Sequence, residues 1–251
     1  MLSIAQRLLI EQNFGSILNI EPINKGYSNQ CFKLQVLDGS NQHQNLFVKS
    51  LNNKDAAHIQ HEHQARSIAE QAQLTPKCLL QNTQHKLLVT EYVQTDTQAC
   101  IEDIALLLVH THSSDSQLVQ IHQPNIIPQR LAADIQALAS ADKIDITLLE
   151  LAKQLDSDCT NQVFCHGDIS RDNILKTRDK TYLVDWEYAR MASAEYDLAA
   201  SICINQFNTA EQNQLVDEYQ KHSQSSINQD LLLQYIQVFE YLNKLWFAKL
   251  A

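Results

Sequence analysis

Glycine and proline are scarce in this chain, four of each in 251 residues, so the few turns they mark carry more weight than usual. Cysteine pairing is missing as well. The six cysteines, at 31, 78, 100, 159, 165 and 203, stand singly with no C-x-x-C spacing, which excludes a disulfide-stapled fold and fits reduced thiols in a cytosol. Positive charge is not in excess: 19 Lys and Arg against 29 Asp and Glu leave a net charge of -10. That balance repels a phosphate backbone and argues against a nucleic-acid partner. Long apolar runs are also absent, since stretches such as residues 104–109 fall far short of a bilayer span. Residues 1–14 have the apolar spacing of a short helix, but Arg7 and Glu11 interrupt it and no small-residue cleavage site follows, so no secretory leader is expected. Neither G-x-x-x-x-G-K-[ST] nor G-x-S-x-G occurs, which removes the Walker-type phosphate loop and the common hydrolase elbow. The expectation is a cytoplasmic protein with no membrane partner.

What is present is an ordinary globular composition, 44% hydrophobic and 19% charged, in a chain long enough for one large domain or two packed lobes. Alternation over 16–23, 31–37 and 45–51 predicts strands, with Gly26 between the first two and Asp38-Gly39 opening the next turn. A polar, helix-favouring stretch over 54–73 stops near Pro76, and strands over 78–80 and 86–93 complete a small sheet with one helix. Beyond residue 93 the period changes to that of helices, at 99–110, 128–140 and 144–155. One island of strand character interrupts them, at 163–165, 174–176 and 182–186. The division expected is an N-terminal lobe of residues 1–93 and a helical lobe of residues 94–251.

Chemistry concentrates in the island. The run Cys165-His166-Gly167-Asp168-Ile169-Ser170-Arg171-Asp172-Asn173 is followed by Tyr182-Leu183-Val184-Asp185-Trp186-Glu187. An acid, an amide five residues later and a second acid at the end of an apolar strand are what phosphoryl transfer by a kinase requires. Asp168 would orient the acceptor hydroxyl and accept its proton, and Asn173 and Asp185 offer the hard oxygen ligands that suit Mg²⁺. Solvated acids in a surface turn would explain the carboxylates but not the flanking apolar strands.

These motifs, with Asp185-Trp186-Glu187-Tyr188-Ala189 and Tyr196-Asp197-Leu198-Ala199, resemble the aminoglycoside phosphotransferase and choline kinase superfamily. Lys25-Gly26-Tyr27-Ser28-Asn29 is similar to that family's phosphate-covering hairpin, and Phe47-Val48-Lys49 to its nucleotide-lysine strand. The resemblance implies an α+β, two-lobed protein-kinase-like fold, a small antiparallel-sheet N-lobe and a mostly helical C-lobe, with ATP between them and Mg²⁺ as cofactor. Lys49 would then meet the α/β phosphates and Glu62 would hold it in place. Gly26 would permit close backbone approach, with Ser28 and Asn29 adding hydrogen bonds there. Thr90-Glu91-Tyr92-Val93 resembles the hinge whose main chain meets adenine, which places Glu91 and Val93, and Asp197 resembles the anchor of the catalytic loop.

Within the superfamily the Asp-Trp-Glu-Tyr-Ala wording is similar to bacterial choline and thiamine kinases, which implies a cationic small-molecule alcohol as acceptor. Glu187 and Tyr188 would stand near the transferred phosphate, and Trp246, with Tyr241 and Phe247, would wall the acceptor on a final helix. The chain departs from the family at 190–195, where a Gly-Asp/Asn-Pro turn is usual, and at Ser170-Arg171-Asp172, where Pro-Gly often stands. His58, His61 and His63 read as solvated, and His110 and His112 as core or cap residues. Aminoglycoside phosphorylation is the alternative enzyme reading, and an inactive kinase-like binding module the alternative from another class.

Overall fold

The computed structural model describes residues 1–23, 30–113, 126–140 and 144–250 and resolves into two compact units. The first joins Met1–Thr97 with Leu175–Glu187, and the second joins Gln98–Ile174 with Tyr188–Ala251.

The first unit opens with helix α1 (Ile4–Phe14), started by a reciprocal cap in which Ser3 Oγ accepts from Gln6 N and the Gln6 side chain accepts from Ser3 N. It stops at Gly15, whose φ of 96° is open to glycine and whose Cβ would collide with the Leu37 carbonyl oxygen. Strands β1 (Ser16–Ile23), β2 (Gln30–Leu37), β3 (His43–Ser50), β4 (Cys78–Asn82) and β5 (Leu87–Glu91) form one antiparallel sheet in the order β1-β2-β3-β5-β4. Each was expected within a few residues.

The pleat decides what each face does. Phe32, Leu34 and Val36, then Leu46 and Val48, then Leu87 and Val89 alternate onto one face and close over Leu2 and Ile10 of the α1 region. Their neighbours turn the other way, so Lys49 shares its face with its cross-strand partner Leu88. Helix α2 (Ala56–Gln71) covers that second face, with Ile59 packed against Leu51 and Leu88. Gln6, almost fully buried, ties α1 to the turn before β5 by donating to the His85 carbonyl at 2.9 Å.

The second unit is mainly helical: α3 (Ile101–His112), α4 (Leu131–Leu138), α5 (Ile146–Ser157), α6 (Ala194–Ile204), α7 (Thr209–Ser223) and α8 (Gln229–Leu250). Leu232, Tyr235, Val238, Phe239 and Leu242 give α8 its buried stripe, where Tyr196 of α6 meets the rings of Tyr235 and Phe239 edge-on at 5.9 and 4.9 Å. Strand β6 (Val163–Cys165) pairs with a later strand, Arg190–Ala192. Between them β7 (Ile174–Lys176) and β8 (Thr181–Leu183) make a two-stranded sheet, and the Arg190–Ala192 strand is β9.

A single cut after residue 93 does not describe this chain, because Leu175–Glu187 returns to the first unit. Asp96 N donates to the Lys176 carbonyl, Leu183 N donates to the Leu74 carbonyl, and Asp185 meets Lys49. The strand expected over 182–186 also ends early. It stops at Leu183, since Asp185 takes φ 70° and Trp186–Tyr188 wind into a single 3-10 turn. The segment 190–195, where the chain departs from the family's usual turn, is β9 followed by the Ser193 cap and first turn of α6. Among the described residues no helix is long and apolar enough to cross a membrane.

Gln6→Ala removes the buried donor to the His85 carbonyl. It should cost about 1–3 kcal/mol in urea unfolding and speed amide exchange in the 85–87 turn; unchanged stability would show that the contact carries no weight.

Candidate active site

The pleat of β3 and the phase of α2 build the charged cluster of the first unit. With Ile59 seated on the sheet, Glu62 follows one turn later on the same helix face and reaches Lys49, whose Nζ donates to Glu62 Oε1 at 2.6 Å. The same Nζ donates to Asp185 Oδ1 at 2.8 Å. The Lys49 and Glu62 side chains are only 5% and 7% exposed, whereas Asp185 retains 31%. Burial alone would lower the Lys49 pKa, but the carboxylates of Asp185, Glu62 and Glu187 outweigh it and hold the ammonium above the usual lysine range. Lys49 is therefore a permanent positive charge.

Asp185 is held in the left-handed region at φ 70°, which costs a non-glycine residue roughly 1–3 kcal/mol and persists only where the surroundings impose it. The hydrogen bond from Trp186 Nε1 to the Leu183 carbonyl, 3.1 Å, fixes the turn around it. That turn delivers Glu187 to the same place: Glu62, Asp185 and Glu187 offer carboxylate oxygens within 4.8 Å of one another. Glu187 Oε2 pairs with Lys54 Nζ at 2.8 Å. Hard oxygen donors at this spacing fit a Mg²⁺ ion.

In the second unit the chain after β6 turns back on itself through Gly167 at φ 80°. A Cβ there would lie 2.5 Å from the Tyr188 carbonyl oxygen, so only glycine fits. Asp197, fully buried in the first turn of α6, accepts from His166 N and Gly167 N, both at 2.8 Å. Its Oδ2 also meets His112 Nε2 at 3.2 Å, while His112 Nδ1 contacts the Tyr219 hydroxyl at 2.9 Å. Burial would raise the Asp197 pKa, but His112, His166 and the backbone donor outweigh it and hold the carboxyl below its ordinary range. Asn205, at the end of α6, closes the other side by accepting from Arg171 N and donating to the Ile169 carbonyl. On this braced loop Asn173 Nδ2 donates to both the carbonyl and the Oδ2 of Asp168, each at 2.9 Å.

Other expected positions are placed as follows. Gly26, Ser28 and Asn29 lie outside the described residues. Glu91 is exposed and its N–H is spent on the Lys77 carbonyl, while Val93 is half-buried beyond the end of β5. Tyr188 is exposed, Trp246 packs edge-on against Phe247 at 5.2 Å, and Phe247 itself is 52% exposed and so does not anchor α8 in the core. Tyr241 instead braces the fold, its hydroxyl accepting from Asp145 N at 2.8 Å. Lys54 and Asn205 carry no functional signal in the sequence and His112 none beyond core or cap; their partners lie 133, 85 and 34–36 residues away, where no local spacing can reveal them.

Residues 19–232 match the phosphotransferase enzyme family, and the chain belongs to that family. A relative described as "Protein LicA homolog", from Metamycoplasma hominis, is 25% identical over 215 residues, covering 78% of this chain and 76% of the relative. The fold is similar to the choline kinase LicA of Streptococcus pneumoniae, with a TM-score of 0.76 at 18% identity over 98% of this chain and 90% of that one. It is also similar to a spectinomycin phosphotransferase solved with ADP and its antibiotic, with a TM-score of 0.66 at 14% identity over 94% and 84% of the two chains.

The depressed Asp197 pKa fixes a sign. A carboxyl more acidic in the folded than in the unfolded chain contributes stability that is fully present above the unfolded value, about 3.9, and is lost as pH falls through the folded one. Asp197→Ala should cost about 3–5 kcal/mol at pH 7, and its deficit against the wild type should shrink as unfolding is measured at pH values falling below about 4. A deficit that grows with acidity would contradict the assignment.

Proposed function

We propose that this phosphotransferase is an ATP- and Mg²⁺-dependent kinase that phosphorylates the hydroxyl of a cationic amino alcohol of the choline, ethanolamine or thiamine class. The observation that carries the nucleotide half is the buried Lys49 ammonium held between Glu62 and Asp185. A cation fixed in this way is built to meet a polyphosphate, and family membership supports the same use. The six free thiols agree with a reducing cytosol as its place of work.

The roles divide between two sets of residues. Lys49 neutralises nucleotide phosphates, and Glu62 keeps it extended. Asp185 and Asn173 would hold Mg²⁺, which when bound supplies positive charge against the phosphate oxygens. Asp168, oriented through its Oδ2 by Asn173, accepts the proton of the acceptor hydroxyl at its carboxylate as the oxygen attacks the γ-phosphorus and ADP leaves. Gly26, Ser28 and Asn29 remain assigned to the phosphates, and the main chain around Glu91 and Val93 to adenine, with the Glu91 N–H excluded because Lys77 takes it.

The acceptor half rests on aromatic surface and on the likeness to LicA proteins. Tyr188 and Trp246 offer ring faces for an ammonium group, each such contact being worth on the order of 0.5–2 kcal/mol. We assign Glu187 to the carboxylate cluster rather than to the acceptor, because Lys54 already meets its charge. Aminoglycoside phosphorylation is the second reading, favoured by the likeness to the spectinomycin enzyme. The complete set of Lys49, Asp168, Asn173 and Asp185 argues against an inactive binding module.

Asp168→Asn should lose about 10²–10⁴ in kcat while MgATP still raises the melting temperature; turnover within threefold of the wild type would remove Asp168 from this role. For the acceptor, Trp246→Leu should raise the KM for the amino alcohol several-fold and leave the KM for ATP alone. A change in stability only would remove Trp246 from the acceptor site.

A further inference from the structure

Three carboxylates, those of Glu62, Asp185 and Glu187, converge in the first unit and face two ammonium groups. Lys49 serves Glu62 and Asp185. Lys54 serves Glu187, at 2.8 Å, with side-chain exposures of 21% and 10%. Those exposures separate this contact from the solvated surface pairs that contribute almost nothing.

Lys54 is also held from behind. It stands on the short link between β3 and α2, where its N–H donates to the Leu51 carbonyl and its own carbonyl accepts from Lys86 Nζ at 2.7 Å. Asp55, the next residue, caps α2 by accepting from His58 N. The link is therefore fixed at both ends, and the ammonium reaches Glu187 without a large loss of side-chain freedom.

We propose that Lys54 is a positioning residue that withholds Glu187 from divalent-metal binding. Lys54 and a metal ion compete for the same carboxylate, so the cluster binds the ion with Asp185 and keeps Glu187 in reserve. Without Lys54, Glu187 would join the ligand set and the ion would bind tighter and leave more slowly. A weakly held ion suits an enzyme that must release its nucleotide product each turnover. The inference rests on the reading of this cluster as a metal site.

The test titrates Mn²⁺ into the full-length, nucleotide-free protein and reads free Mn²⁺ by electron paramagnetic resonance. Lys54→Met should tighten Mn²⁺ binding about tenfold, whereas Lys54→Arg, which keeps the charge, should stay within twofold of the wild type. Glu187→Gln should also stay within twofold in the wild-type background and should cancel the gain in the Lys54→Met background. These two Glu187 arms, with the arginine variant, separate charge competition from a folding defect.

Unchanged or weaker binding in Lys54→Met, or a tenfold loss in Glu187→Gln alone, would overturn the role of Lys54. If Asp185→Ala abolishes binding in that same case, the metal site itself stands. No Mn²⁺ binding in the wild type or in any variant would overturn both.

Discussion

A lysine ammonium buried between carboxylates is the constraint on which the first unit depends. Neither Lys49 nor Glu62 could be buried alone, because an isolated charge taken out of water costs several kcal/mol, and removing one partner leaves the other uncompensated. Their meeting requires that the pleat of β3 turn Val48 into the core and Lys49 to the opposite face, and that α2 sit with Ile59 against Leu51 and Leu88. It also requires the chain to return at Leu175–Glu187 and carry Asp185 to the same ammonium. Sheet register, helix phase and a distant segment are thus tied together by one cation.

The second unit solves an equivalent problem with the opposite sign. There the buried charge is the Asp197 carboxylate, stabilised by two main-chain N–H groups and by His112. Those bonds hold the His166–Gly167 turn, which lets Asp168 and Asn173 meet through side chain and main chain alike. In the second unit the residues assigned to chemistry, Asp168 and Asn173, are half-buried and rest on a fully buried carboxylate that does no chemistry itself. This division places rigidity behind the reacting groups, where preorganisation is useful.

The sheet was legible in the sequence because its inner face alternates cleanly: Phe32-Leu34-Val36 and Leu46-Val48 need only a period of two. The five-residue spacing of Asp168 and Asn173 was legible as a motif, and the structure joins the two side chains at 2.9 Å. The departures have physical causes. Asp185 adopts a left-handed backbone that propensity assigns to glycine or asparagine, so the apolar run through Val184 read as a longer strand than forms. β9 carries only three residues, too few to show a period, and is identified by its pairing with β6. Lys54 and Glu187 give no local sign of each other, because the ion pair that joins them spans 133 residues. His112, read as a core or cap residue, has a buried side chain, and its partners Asp197 and Tyr219 come to it from other helices.

In the proposed reaction a phosphoryl group passes from ATP to the hydroxyl of a cationic alcohol. Phosphorus NMR of the wild-type protein with MgATP and, in separate tubes, choline, ethanolamine, thiamine and an uncharged alcohol observes that transfer directly. A phosphomonoester signal should grow in step with ADP in at least one of the three cationic samples and not in the uncharged one. Intact ATP throughout, inorganic phosphate as the sole product, or a phosphoester formed only on the uncharged alcohol would contradict it.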